Sequence, residues 1–131
     1  MSRSDQATWT TRRDEIRERA VIEVAKHVRR HGLGLHEVVS LADDGHALDQ
    51  TETLIGEADR AFPDPEILKR ALTEVLGCLE NLSIARVDEL SREGGGPRDI
   101  FAAVDWHGAR LADLAMRYGP VLAPATGGAR R

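Results

Sequence analysis

The sequence predicts an all-α protein, a four- to five-helix bundle with one long central helix. Three observations carry this. First, from Pro65 to Glu93 apolar residues recur at Leu68, Leu72, Val75, Leu79 and Leu82, which is one stripe of a 3.6-residue repeat. Further stripes run through Ile67, Ala71, Cys78 and Ala85, and through Leu76, Val87 and Leu90. A helix apolar on several sides is one surrounded by neighbours. Second, only 4% of residues are aromatic against 41% hydrophobic overall, so the core is aliphatic and strand formers are sparse. Third, Gly and Pro punctuate the chain at Gly32, Gly45, Pro63, Gly94–Pro97 and Gly119–Pro120, leaving helix-length segments between them.

The elements follow in order. Residues 1–10 form a flexible lead-in, with Thr8, Thr10 and Thr11 as cap candidates and Trp9 placed to staple the helix entry. A first helix spans about Thr11 to His31, burying Ile16, Ala20, Val21, Val24, Ala25 and Val28 and stopping at Gly32. A short helix over Leu35–Asp43 faces inward through Leu35, Val38, Val39 and Ala42. A third helix from His46 to Phe62 uses Leu48, Thr51, Leu54, Ile55, Ala58 and Phe62. Whether these two join through Gly45 is open at this level. The long helix starts at a marked cap, with Asp64 followed by Pro65 and Glu66. A last helix from Pro97 to Tyr118 carries Ile100, Phe101, Val104, Leu111, Leu114 and Ala115, and residues 119–131 make a disordered tail. One domain over 11–118 is the expected organisation for 131 residues.

Charge excludes some functions. The net charge is −4, against a general affinity for nucleic acid, which needs a positive field. It is unevenly placed. Arg12, Arg13, Arg17, Arg19, Lys26, Arg29 and Arg30 crowd the first helix, whereas between Glu37 and Glu66 Arg60 is the only base among the acids. No apolar run approaches the ~20 residues that cross a bilayer, and the polar start has no signal-peptide core. The single cysteine, Cys78, fits a reduced, cytoplasmic setting.

Motifs for chemistry are weak. His27 and His31 stand four apart on a helix, where two rings can share a metal ion, with His36 or His107 as a distant third ligand. Lys26 and Val28 flank His27, so the zinc-protease pattern is missing, and a polar face at a helix end explains the pair as well. The carboxylate pairs Asp14–Glu15, Asp43–Asp44 and Asp88–Glu89 are neighbours that point apart on a helix. Val38–Leu48 has the outline of a helix-turn-helix, but the second helix would offer Asp49, Glu52 and Glu57 to phosphates. No catalytic residue, cofactor or metal site is predicted.

The stretch from His31 to Glu93 resembles the helical N-terminal domains of PucR-type transcription regulators and of RsbR- and RsbU-type stress-signalling proteins. The resemblance lies in Arg30-His31-Gly32-Leu33-Gly34-Leu35-His36-Glu37-Val38-Val39, in Asp64-Pro65-Glu66-Ile67-Leu68 and in Leu79-Glu80-Asn81-Leu82-Ser83-Ile84-Ala85. It departs at Ala42–His46, where that family carries an aromatic-rich segment. The resemblance implies a signalling module that dimerises or docks a partner and performs no chemistry.

The functional expectation is a non-enzymatic regulatory domain, homodimeric or bound to a protein partner. Arg12, Arg13, Arg17, Arg29 and Arg30 are its expected partner surface. The alternatives are a small-molecule sensor, with a pocket lined by Leu72, Cys78, Trp106 and Tyr118, and a DNA-binding regulator. Gly77 and Gly108 leave room for such a pocket or for close helix crossing.

Overall fold

The structure, a computed structural model, describes residues 3–82, 84–93 and 99–122. Among them are five helices and no strand: α1 (Arg3–Ser40), α2 (Gly45–Ala58), α3 (Pro65–Asn81), α4 (Ile84–Glu93) and α5 (Ile100–Leu122). The all-α bundle and its one long helix are present, but the long helix is α1. Its 38 residues span ~57 Å. It packs on α2, α3 and α5; α3 also packs on α2 and α5, and α4 packs on α5.

Two predicted helices are one because Gly32 and Gly34 serve packing and do not stop α1. A Cβ at Gly32 would lie 3.0 Å from Ile55 Cγ1 of α2, and one at Gly34 would lie 3.3 Å from His107 Nε2 of α5. Both neighbours press on bare backbone, and their burial outweighs the ~1 kcal/mol each glycine costs a helix. The chain breaks later. Leu41 and Ala42 bond back to the carbonyls of Val38 and Val39, Asp43 takes a φ of 57°, and Asp44 caps α2 through Ala47 N–H at 3.1 Å. α1 also begins at Arg3, ahead of the expected Thr11. The caps expected of Thr8, Thr10 and Thr11 and the Trp9 staple involve side chains outside the described ones.

α2 ends at Ala58, short of Phe62. Pro63 disfavours helical backbone at Phe62. Arg29 of α1 donates from Nη1 to the Ala58 carbonyl at 3.0 Å, a cation at the negative helix end. Glu57, 7% exposed, bridges the turn: its Oε2 accepts Asp64 N–H at 2.7 Å, and Arg60 Nη1 lies 3.1 Å away. Phe62 was expected on the buried face of this helix; it stands 88% exposed at the turn's tip. α3 then starts as expected, with Asp64 accepting from Glu66 N–H at 2.9 Å.

The stretch expected as one helix from Pro65 to Glu93 is two. Leu82 adopts extended backbone (φ −69°, ψ 120°). Unbroken, 29 residues would reach ~44 Å and overrun the ~35 Å of α5. The break lets Val87 of α4 pack with Ile100, Leu41, Leu82 and Val104 as a small second cluster. The main core joins Val24, Val28, Val38, Val39, Leu54, Leu68, Leu72, Val75 and Leu111 from four helices. α5 runs past Gly119–Pro120 to Leu122, because Leu122 is buried in that core. The turn expected at Gly94–Pro97 and the tail from residue 123 lie outside the described residues. A Cβ at Gly77 or Gly108 would meet nothing within 4 Å, so neither glycine serves a close helix crossing.

Candidate functional site

The antiparallel seam of α1 and α5 gathers most of the residues that the sequence singles out. Its register is fixed by Arg17, whose Nε donates to the Val121 carbonyl at 3.4 Å, and by Gly34, which faces His107.

Mid-seam, four rings meet. His27 and His31 lie one turn apart on α1 with ring centres at 4.7 Å. Trp106 of α5 stacks on His27 at 6.4 Å and meets His31 edge-on at 4.8 Å; its neighbour His107 lies at 5.0 Å. The Arg110 guanidinium sits 4.9 Å over the indole, a cation–π contact. Burial pushes the His27 imidazole below its usual range, and His31, His107 and Arg110 push it the same way. Burial also lowers His107, helped by His31. The seam thus favours neutral His27 and His107. His107 aims its Nε2 at Gly34, and His36 pairs with Glu52 at 3.2 Å. Neither therefore completes a metal set with His27 and His31, and among the described residues no three His, Cys, Asp or Glu side chains are placed to hold one ion.

This cluster sets a pH dependence. His27 and His107 bind protons more weakly folded than unfolded, so the folded state binds fewer protons below the unfolded value of 6.5. Stability is full above that pH and falls on acidification through it. Around the rings, Lys26 and Arg30 flank them in the α1 sequence and Glu23 lies one turn before His27; from α5, Arg110 acts on His27. No ion pair between these rings and a carboxylate is present among the described residues. Thermal melts at pH 7.5 and 5.2 are expected to differ by several degrees. The His27→Gln/His107→Gln variant is expected to lose most of that difference; an unchanged difference would show that other groups set it.

At the end of the seam lies a groove of about 450 Å³, lined by Arg12, Glu15, Ile16, Arg19 and Ala20 of α1 and by Arg117, Tyr118 and Val121 of α5. Ile16, expected in the core, is 49% exposed in its floor. Arg117 reaches Asp113 at 3.5 Å, whereas Arg12 and Arg19 form no ion pair among the described residues. The groove therefore joins an apolar floor to an arginine rim.

The expected partner surface separates accordingly. Arg12 rims the groove, Arg13 and Arg30 are exposed, Arg17 fixes the seam and Arg29 caps α2. The expected pocket does not form as a unit. Leu72 is sealed in the core, and Cys78 is half-buried on α3, its thiol pushed up by burial and then by Asp44. Trp106 and Tyr118 stand ~18 Å apart along α5. Only Tyr118 reaches the groove. Sequence reasoning missed Arg19 and Arg117 as rim residues. Arg19 lies seven residues beyond Arg12, two turns along one face, which was the available signal.

Comparison of the chain with known protein families, with characterised proteins and with solved structures gives no match. No described helix is long and apolar enough to cross a membrane.

Proposed function

We propose that this chain is a non-enzymatic regulatory domain that acts by docking protein, with the groove between α1 and α5 as its receptor. One observation carries this: an apolar floor of Ile16, Ala20 and Val121 lies inside a rim of Arg12, Arg19 and Arg117, with Glu15 as the only lining carboxylate among the described residues. Such a surface suits an apolar side chain flanked by carboxylates, where burial supplies affinity and charge supplies orientation. The resemblance to regulatory helical domains points the same way. A net charge of −4 disfavours duplex DNA as the occupant.

The groove's volume also suits a small amphipathic carboxylate, the runner-up reading. Fluorescence anisotropy separates the two. A labelled Glu-Glu-Phe-Glu-Glu peptide is expected to bind, to weaken with salt and to lose roughly tenfold or more against Arg12→Glu/Arg19→Glu, while Lys-Lys-Phe-Lys-Lys does not bind. Equal binding of both peptides would overturn the docking reading. Stabilisation by free phenylalkanoic acids with no binding of the peptide would favour the small-ligand reading.

A further inference from the structure

We infer that the groove's occupant is the Phe62 tip of a second copy of this chain, inserted reciprocally to give a two-fold dimer. This inference rests on the docking reading above and names its partner.

The α2–α3 turn, residues 59–64, supplies the complement that the groove asks for. Phe62 stands 88% exposed at its tip. Asp59 and Glu66, both exposed, flank it and form no ion pair among the described residues. Of the nearby bases, Arg60 is held by the Glu57 carboxylate at 3.1 Å and Arg29 by the Ala58 carbonyl at 3.0 Å, which leaves Asp59 and Glu66 to set the outward charge of the tip. Phe101 also has acids beside it, Asp99 and Asp105, but it is half as exposed, at 44%, and lines a depression of its own with Leu82 and Val87; Met116 stands beside Arg117, and Leu33 lies between Arg30 and Glu37. An apolar knob with an acidic collar and an apolar groove with a basic rim therefore occur in one sequence.

The tip is also held in one shape. Glu57 accepts the Asp64 N–H across the turn, and Pro63 and Pro65 fix two backbone torsions. A knob ordered before binding loses little entropy on docking. Within one chain the knob remains exposed, so its own groove does not take it. Two copies can exchange knobs about a two-fold axis, each giving and receiving one, which closes the assembly at a dimer.

Light scattering after size-exclusion chromatography tests this from low to high micromolar concentration, for the wild type and Phe62→Ser. Phe62 is solvent-exposed within one chain, so the variant is expected to fold and to match the wild-type melting temperature at concentrations low enough for both to be monomeric. The wild type is expected to run as a dimer that loosens with salt, and Phe62→Ser to associate at least ~tenfold more weakly. A wild type that stays monomeric, or a Phe62→Ser protein that dimerises like it, overturns the inference. The acidic peptide tested on the Phe62→Ser protein keeps the two proposals apart. If it binds while the wild type is monomeric, docking stands and self-docking falls. If neither occurs, both fall.

Discussion

Leu111→Ala is expected to destabilise the protein by about 3 kcal/mol and to lower its melting temperature by roughly 10 °C. Leu111 is 0% exposed on α5, where that helix faces α1 and α3. Truncation removes buried methyl groups and leaves a cavity. The surrounding core is built from valine, leucine and alanine, with aromatics at only 4% of the chain, so no large ring stands ready to swing into the gap. Loss of Leu111 also loosens the seam that carries both the imidazole cluster and the groove. Urea unfolding followed by circular dichroism gives the number. A loss below ~1 kcal/mol would mean that α5 is packed less firmly than its burial indicates.

Glu57→Ala is the second large effect, at about 2 kcal/mol. The carboxylate, 7% exposed, accepts the Asp64 backbone N–H at 2.7 Å and the Arg60 guanidinium at 3.1 Å. Removing it strands a backbone donor at the start of α3 and frees Arg60 beside the tip. Glu57→Gln keeps an acceptor and is expected to recover part of the stability. Both variants are expected to weaken dimerisation beyond the stability loss, because the freed Arg60 cancels tip charge. Melting temperatures and dimer dissociation constants, measured on the same samples, separate the two effects. Dimerisation unchanged in Glu57→Ala would show that the charge of the tip, as Arg60 alters it, does not matter to association.

Much of the fold is legible in the sequence, and the failures share a cause. The helices over 46–58, 65–81 and 100–118 follow from aliphatic periodicity, and the Asp64–Pro65 start follows from cap chemistry; both are local. Gly32 misleads because the same residue stops a helix and admits a close neighbour, and Ile55, the neighbour that decides, is distant in sequence. Periodicity continues unbroken through Leu82, yet the break there lets Val87 pack against Ile100, Leu41 and Val104, residues distant in sequence. Phe62 fits the apolar spacing of α2, but the pull of Asp64 on the Glu57 side chain takes the backbone away first. The site is less legible still. The arginine bias of α1 is visible, but which arginines cap, which fix the seam and which rim a groove depends on α2 and α5 alongside. His27 and His31 look like ligands by spacing; α5 brings them a tryptophan, a histidine and an arginine.

The most direct test of docking between copies is a charge-swap mixing experiment, read by sedimentation equilibrium. Arg12→Glu/Arg19→Glu reverses the groove rim, and Asp59→Lys/Glu66→Lys reverses the collar of the tip. Each variant alone sets like charges against each other and is expected to sediment as a monomer. An equimolar mixture restores both opposite-charge contacts and is expected to form a heterodimer. A mixture that stays monomeric while the wild type dimerises, or variants that each dimerise alone, would contradict the account.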